Sequence, residues 1–178
     1  MFAVMTLCDP GDELMVFEPY YANYNSFART FNVKINAVPT SAETGYHLPS
    51  EEEIEKHITP KTKAILVSNP GNPTGVVYTE EEMQMLASLV LKHDMALIAD
   101  EVYREFVYDG DYKSFGTMPE LDQNLVIVDS VSKRYSACGA RIGCIISKNE
   151  EFCKQIMKCC QARLCSPILE QIGAAGLY

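Results

Sequence analysis

Ala64-Ile65-Leu66-Val67-Ser68 runs directly into Asn69-Pro70-Gly71-Asn72-Pro73-Thr74-Gly75. A short apolar run bounded by a Pro/Gly/Asn loop reads as a strand buried on both faces, the kind found in parallel sheets. Two prolines and two glycines fix the loop, and a fixed loop holds one amide side chain in place. The same grammar recurs downstream. Met95 to Ala99 (MALIA) ends at Asp100 and is followed by Glu101-Val102-Tyr103. Leu125 to Val128 (LVIV) ends at Asp129-Ser130 and is followed by Val131-Ser132-Lys133. Glu13 to Phe17, Val33 to Val38 and Ile142 to Ile146 also read as strands.

Helical patterns lie between these runs. Ser50 with Glu53 and Thr79 with Glu82 each form an expected capping box, the second opening a helix to about His93. Met83, Leu86, Leu89 and Val90 recur there at helical spacing. Asn149 to about Leu164 reads as a helix with Phe152, Ile156, Cys160 and Leu164 on one stripe. Ser166 as N-cap and Pro167 in the first turn open a last helix, cut off at Tyr178. Strands alternating with helices predict an α/β fold, a three-layer αβα arrangement on a mainly parallel sheet, with residues 1–178 as a single domain. Ligands of such sheets bind beyond the carboxyl ends of the strands, at a topological switch point.

Composition narrows the function classes. Fifteen basic residues against twenty-four acidic ones leave a net charge of −9, which disfavours a nucleic-acid partner. The apolar stretches fall far short of a membrane span, and residues 1–10 carry no basic region of a secretory signal. Seven cysteines include no CxxC pair, so no metal site is expected; four of them, Cys153, Cys159, Cys160 and Cys165, read as reduced, mostly buried thiols of a cytoplasmic protein.

Each polar strand end has an ordinary reading: a turn asparagine, a helix-capping aspartate, a solvated lysine, a surface-paired arginine. Together they suit one chemistry. A lysine amine forms a Schiff base with an aldehyde cofactor. Pyridoxal 5'-phosphate needs such a lysine and an acid that keeps its pyridine nitrogen protonated. Lys133 and Asp100 suit these roles. Asn72 and Tyr103 suit the ring's phenolic oxygen, and Ser130 and Arg141 its phosphate.

The order NPGNPTG, DEVY, SVSK and then Gly139-x-Arg141-x-Gly143 resembles the fold-type I, class I/II aminotransferases. The gaps match as well: 28 residues from Asn72 to Asp100, three to Tyr103, 30 to Lys133 and eight to Arg141. Asp9-Pro10-Gly11-Asp12 with Phe17-Glu18-Pro19-Tyr20-Tyr21 is similar to the family's PGD…PxY segment. The resemblance implies that Lys133 is the Schiff-base lysine and later the proton-moving base, that Asp100 is the pyridinium partner, and that Tyr21, or else Tyr20, stacks on the ring. It implies Asn72 and Tyr103 on the ring oxygen, and Ser130 and Arg141, with Ser132 assisting, on the phosphate. Substrates would be an amino acid and a 2-oxo acid.

The family is longer, and the chain is similar to its middle. The phosphate-cradling turn is expected upstream of residue 1, with Met1 to Leu7 the tail of its helix. The small domain and its arginine for the substrate carboxylate are expected beyond Tyr178; Arg29 and Arg163 do not match that context. A truncated large domain would leave apolar faces open, so a homo-oligomer with weak or no catalysis is expected. Rival readings are a β-lyase or ring-forming lyase on the same cofactor, an inactive cofactor-binding piece or sensor, and a dinucleotide-binding domain. No GxGxxG follows the first strand, which counts against the last.

Overall fold

The computed structural model describes residues 1–177. Six strands form one sheet: β1 (Glu13–Glu18), β2 (Lys34–Pro39), β3 (Thr62–Ser68), β4 (Ala96–Asp100), β5 (Leu125–Ser130) and β6 (Gly143–Ile146). Their order is β2-β1-β3-β4-β5-β6. The first five run parallel, and β6 lies antiparallel on β5 with Ser130 opposite Gly143.

Helices cover both faces. They are α1 (Phe2–Leu7), α2 (Asn23–Thr30), α3 (Glu51–Glu55), α4 (Glu80–Lys92), α5 (Val131–Arg134), α6 (Glu150–Arg163) and α7 (Ile168–Ala175). Strand alternation divides the core into two layers. Met15, Phe17, Ile65, Val67, Leu97, Ala99 and Ile127 face α4, where Met83, Leu86 and Val90 join the same cluster. Leu14, Val16, Leu66, Ile98 and Val126 face the opposite way, against Ala3 and Val4 of α1, Tyr24 and Ala28 of α2, and Phe152 and Ile156 of α6. This is the expected three-layer α/β arrangement.

Thr79 and Glu82 form a complete capping box at α4. Four local expectations are corrected. The Ser50 box is half formed: Ser50 Oγ accepts from the Glu53 N–H at 3.3 Å, but the Glu53 carboxylate turns to Lys56 at 2.6 Å. Ser166 does not cap α7, whose N-cap is Pro167 with no side-chain bond. The stripe on α6 is buried only at Phe152 and Ile156; Cys160 is exposed, and Leu164 lies past the helix end, 76% exposed. The thiols are accordingly not buried as a group. Cys8 is buried, Cys159 is intermediate, and Cys153, Cys160 and Cys165 are exposed; α6 buries only Phe152 and Ile156, and Cys165 lies past its end. Tyr178, at the expected end of the last helix, lies outside the described residues. Among those residues no helix is long and apolar enough to cross a membrane, and no group of His, Cys, Asp or Glu is arranged to hold a metal ion.

Candidate functional site

The chain leaves β1 toward β2 and returns to β3 on the other side, so strand order reverses between β1 and β3. The carboxyl ends of β1, β3, β4 and β5 open near this switch point, where parallel sheets form ligand crevices. A cleft of about 420 Å³ lies there. It is lined by the segment after β1 (Tyr21, Tyr24), by Ser68 and Asn72 after β3, by Asp100 and Tyr103, and by Asp129, Ser130, Ser132, Lys133 and Arg141. The residues expected to hold the cofactor, from Tyr21 and Asn72 to Lys133 and Arg141, line this one hollow; Tyr20 does not.

Asp100 ends β4 in the middle of the sheet, paired to Ser68 on one side and Val128 on the other. Burial pushes its carboxyl above the usual aspartate range. Two hydrogen bonds oppose that shift. The Tyr24 hydroxyl donates to Oδ2 at 2.8 Å, and the Val102 N–H donates to Oδ1 at 3.3 Å. Nearby Asp129 raises it further by like-charge repulsion, while the terminal amine of Met1 lowers it. The phenol of Tyr24 is itself raised, mainly by burial and then by the Asp100 charge, so it stays a donor.

Asn72 and Tyr103 meet directly. Asn72 Nδ2 donates to the Tyr103 hydroxyl at 3.4 Å, which leaves both polar ends at one spot on the wall. Lys133 Nζ sits 5.7 Å from the centre of the Tyr103 ring, within range of a cation–π contact. Tyr21 is 39% exposed at the rim, with its hydroxyl accepting from Asn23 Nδ2 at 2.7 Å. Its ring stands edge-on to Tyr24, with centroids 5.5 Å apart.

Ser130 is the N-cap of α5. Its Oγ accepts from the Ser132 N–H at 3.3 Å, so its own proton remains for a ligand. The Ser132 carbonyl accepts from the Cys138 thiol at 3.1 Å. Arg141 adopts a left-handed backbone, φ +55°, uncommon for a residue with a side chain. Its Nη1 donates to the Cys138 carbonyl at 2.8 Å, which aims the guanidinium along the cleft edge.

Tyr24 is the residue the sequence reading missed. It lies on α2, away from the strand ends that mark the other residues of the cleft. Helical periodicity gives no signal for it, because Tyr21 precedes the N-cap of α2 and the two tyrosines do not share a helix face. The assembled site offers an amine and a carboxylate in one hollow, amide and phenol groups on the wall between, and a hydroxyl and guanidinium at one end. That donor set suits a small, flat, anionic aldehyde.

The family model for aminotransferase class I and II matches residues 1–177. The aspartate/prephenate aminotransferase of Thermus thermophilus is 36% identical over 137 residues, covering 77% of this chain and 35% of that protein. The aspartate aminotransferase of Thermotoga maritima is 37% identical over 148 residues, covering 83% of this chain and 39% of its own. The solved structure of an aspartate aminotransferase from Thermotoga maritima superposes with a TM-score of 0.90 at 34% identity, covering 97% of this chain and 46% of that one. The aspartate aminotransferase of Thermus thermophilus with maleate gives 0.87 at 31% identity, covering 96% and 44%. The chain therefore spans less than half the length of these relatives. Motif order, strand topology and the matched family model agree: this chain belongs to the class I and II aminotransferases.

Proposed function

We propose that the cleft binds pyridoxal 5'-phosphate and that the chain is the cofactor-binding portion of an aminotransferase acting on an amino acid and a 2-oxo acid. One observation carries this reading: Lys133 and Asp100 line the same hollow. The donor set fits the group, with a buried carboxylate for a pyridinium, paired amide and phenol for a phenolate, and hydroxyl with guanidinium for a phosphate. When bound, the cofactor supplies an aldehyde for amines and a protonated pyridine that withdraws electrons.

In this reading Lys133 Nζ would hold the aldehyde and would serve as the base that takes the proton from the substrate α-carbon. Asp100 keeps a proton on the ring nitrogen. Burial favours its neutral form, but a cation alongside, with Tyr24 and the Val102 N–H, favours the carboxylate. Asn72 and Tyr103 would hold the ring oxygen, and Tyr21 would supply the aromatic wall for the ring. Ser130, Ser132 and Arg141 bind the phosphate.

We further place the chain in the cytoplasm, in amino acid biosynthesis, and in a homo-oligomer. All seven cysteines are free, and Ile168, Leu169 and Ile172 of α7 are each more than 60% exposed, an apolar face suited to a second subunit. The test is to mix the chain with pyridoxal phosphate and record absorbance. A visible band lost in Lys133→Ala is the expected result. A spectrum that stays that of the free aldehyde would sink the proposal.

A further inference from the structure

A second carboxylate, Asp129, sits in the cleft wall, and the proposed cofactor chemistry gives it no task. Its side chain is 7% exposed, and that of Arg134 is 9% exposed. Arg134 Nη2 meets Asp129 Oδ2 at 2.6 Å, and Arg104 Nη2 meets the same oxygen at 3.4 Å. Asp129 Oδ1 accepts from the Ser130 N–H at 2.7 Å. Glu105 closes the outer side, 3.8 Å from Arg134 Nε and 3.5 Å from Arg104 Nε. Arg134 directly follows Lys133, and Arg104 directly follows Tyr103. The ion cluster thus clamps together the two turns that set Lys133 Nζ 5.7 Å from the Tyr103 ring.

We propose that Arg134 is a positioning residue of the cleft: acting through Asp129, it holds the Lys133 turn on the Tyr103 turn and cancels a second carboxylate charge beside Asp100. This rests on the cleft being the cofactor site. Two uncompensated carboxylates on one wall compete for the same cation and repel each other. Asp129 already raises the Asp100 carboxyl, with both guanidinium groups in place. Removing the nearer one leaves Asp129 buried without its closest counter-charge, a costly arrangement. The other groups acting on Asp100 are Tyr24 from α2, the Val102 N–H of its own turn and the Met1 amine before α1. Lys133 and Arg141 line the same cleft.

The test uses the full chain without cofactor, carrying carboxyl-labelled aspartate. The Asp100 resonance is assigned by its loss in Asp100→Asn, and its pH midpoint is followed by NMR. Arg134→Met is expected to raise that midpoint by about half a pH unit or more. Adding Asp129→Asn to the same chain is expected to bring it back to the wild-type value or below. Arg134→Lys keeps a cation and is expected to hold it near wild type. An unchanged midpoint in Arg134→Met, or a rise that survives the added Asp129→Asn, overturns the proposal; a purely structural role would not give that reversal. Should Arg134→Met not fold, Asp129→Asn alone decides. It is expected to lower the Asp100 midpoint by leaving two guanidinium groups uncompensated, and no change overturns the proposal. Cofactor titration separates the two readings. A wild-type chain that takes up no pyridoxal phosphate defeats the proposed function, while the midpoints still judge the ion cluster. Uptake by Arg134→Met as tight as by wild type, where about a tenfold loss is expected, defeats the positioning role.

Discussion

The Tyr24 hydroxyl donates to Oδ2 of Asp100 at 2.8 Å, joining positions 76 residues apart. Asp100 comes from the centre of the sheet, and Tyr24 from the helix laid over its carboxyl edge. One bond therefore fixes the carboxylate's rotation and ties α2 to β4. It also favours the ionised form of an acid that burial drives toward neutrality.

Replacing Tyr24 by Phe keeps the ring and removes the donor. A hydrogen bond to a charged group is worth about 1.5–3 kcal/mol. The Kd for pyridoxal phosphate, read from the visible band, is therefore expected to rise by at least about tenfold. Without cofactor, the Asp100 midpoint is expected to move up, because a bond that lowered it is gone. An unchanged Kd would show that Asp100 does not depend on Tyr24.

Asp100→Asn is expected to stabilise the fold while abolishing its cofactor chemistry. The carboxyl lies above its ordinary value of 3.8 in the folded chain, with burial the largest cause. Between that value and its folded midpoint, the folded state binds more protons than the unfolded one. Stability therefore falls as pH rises through this window, and the loss persists at neutral pH. Asparagine escapes it. The expected gain at pH 7 is of the usual size for a stabilising substitution, about 0.5–2 kcal/mol. It should vanish at pH 3, where Asp100 is protonated in both states. Chemical denaturation at the two pH values checks this, and a variant no more stable at pH 7 would refute it.

Much of this geometry was legible in the sequence because buried parallel strands are plain apolar runs that stop at polar residues. Asp100 and Ser130 announce themselves in that way. Tyr24 does not, since α2 reads Asn-Tyr-Asn-Ser-Phe-Ala-Arg-Thr and buries only Tyr24 and Ala28. The α6 stripe gave the correct face at Phe152 and Ile156, but periodicity says nothing of how far the covering layer extends, so Cys160 was misplaced. The Asp129–Arg134 pair was hidden because residues five apart do not face each other on a regular helix. A strand end turning into α5 brings them together.

Glu101 is fully buried beside the site and anchors the loop that leaves it. Ser114 Oγ lies 2.8 Å from both carboxylate oxygens, and the Phe115 N–H donates to Oε1 at 3.1 Å. Glu101→Ala strands these donors and opens a cavity. A loss of about 2–4 kcal/mol is expected, with faster amide exchange around residues 111–115. Glu101→Gln keeps one acceptor oxygen and should cost less. Equal stability of the Ala variant and wild type would show that the loop is held by other contacts.

Gly143 is required by a close approach of backbones rather than by its own conformation. A Cβ there would lie 2.9 Å from the Asp129 carbonyl oxygen and 3.2 Å from Ser130 Cβ. Neither neighbour is a flexible chain end, so β6 must move off β5 at the pair that sets Ser130. Gly143→Ala is therefore expected to cost about 1–3 kcal/mol and to weaken cofactor binding through the displaced Ser130 hydroxyl. Gly139, four residues earlier in the same motif, is the control: a Cβ there meets nothing within 4 Å. Gly139→Ala should stay within about 0.5 kcal/mol of wild type. Urea denaturation of the two variants separates packing from motif membership, because a motif-wide glycine requirement would penalise both, and close approach penalises Gly143→Ala alone.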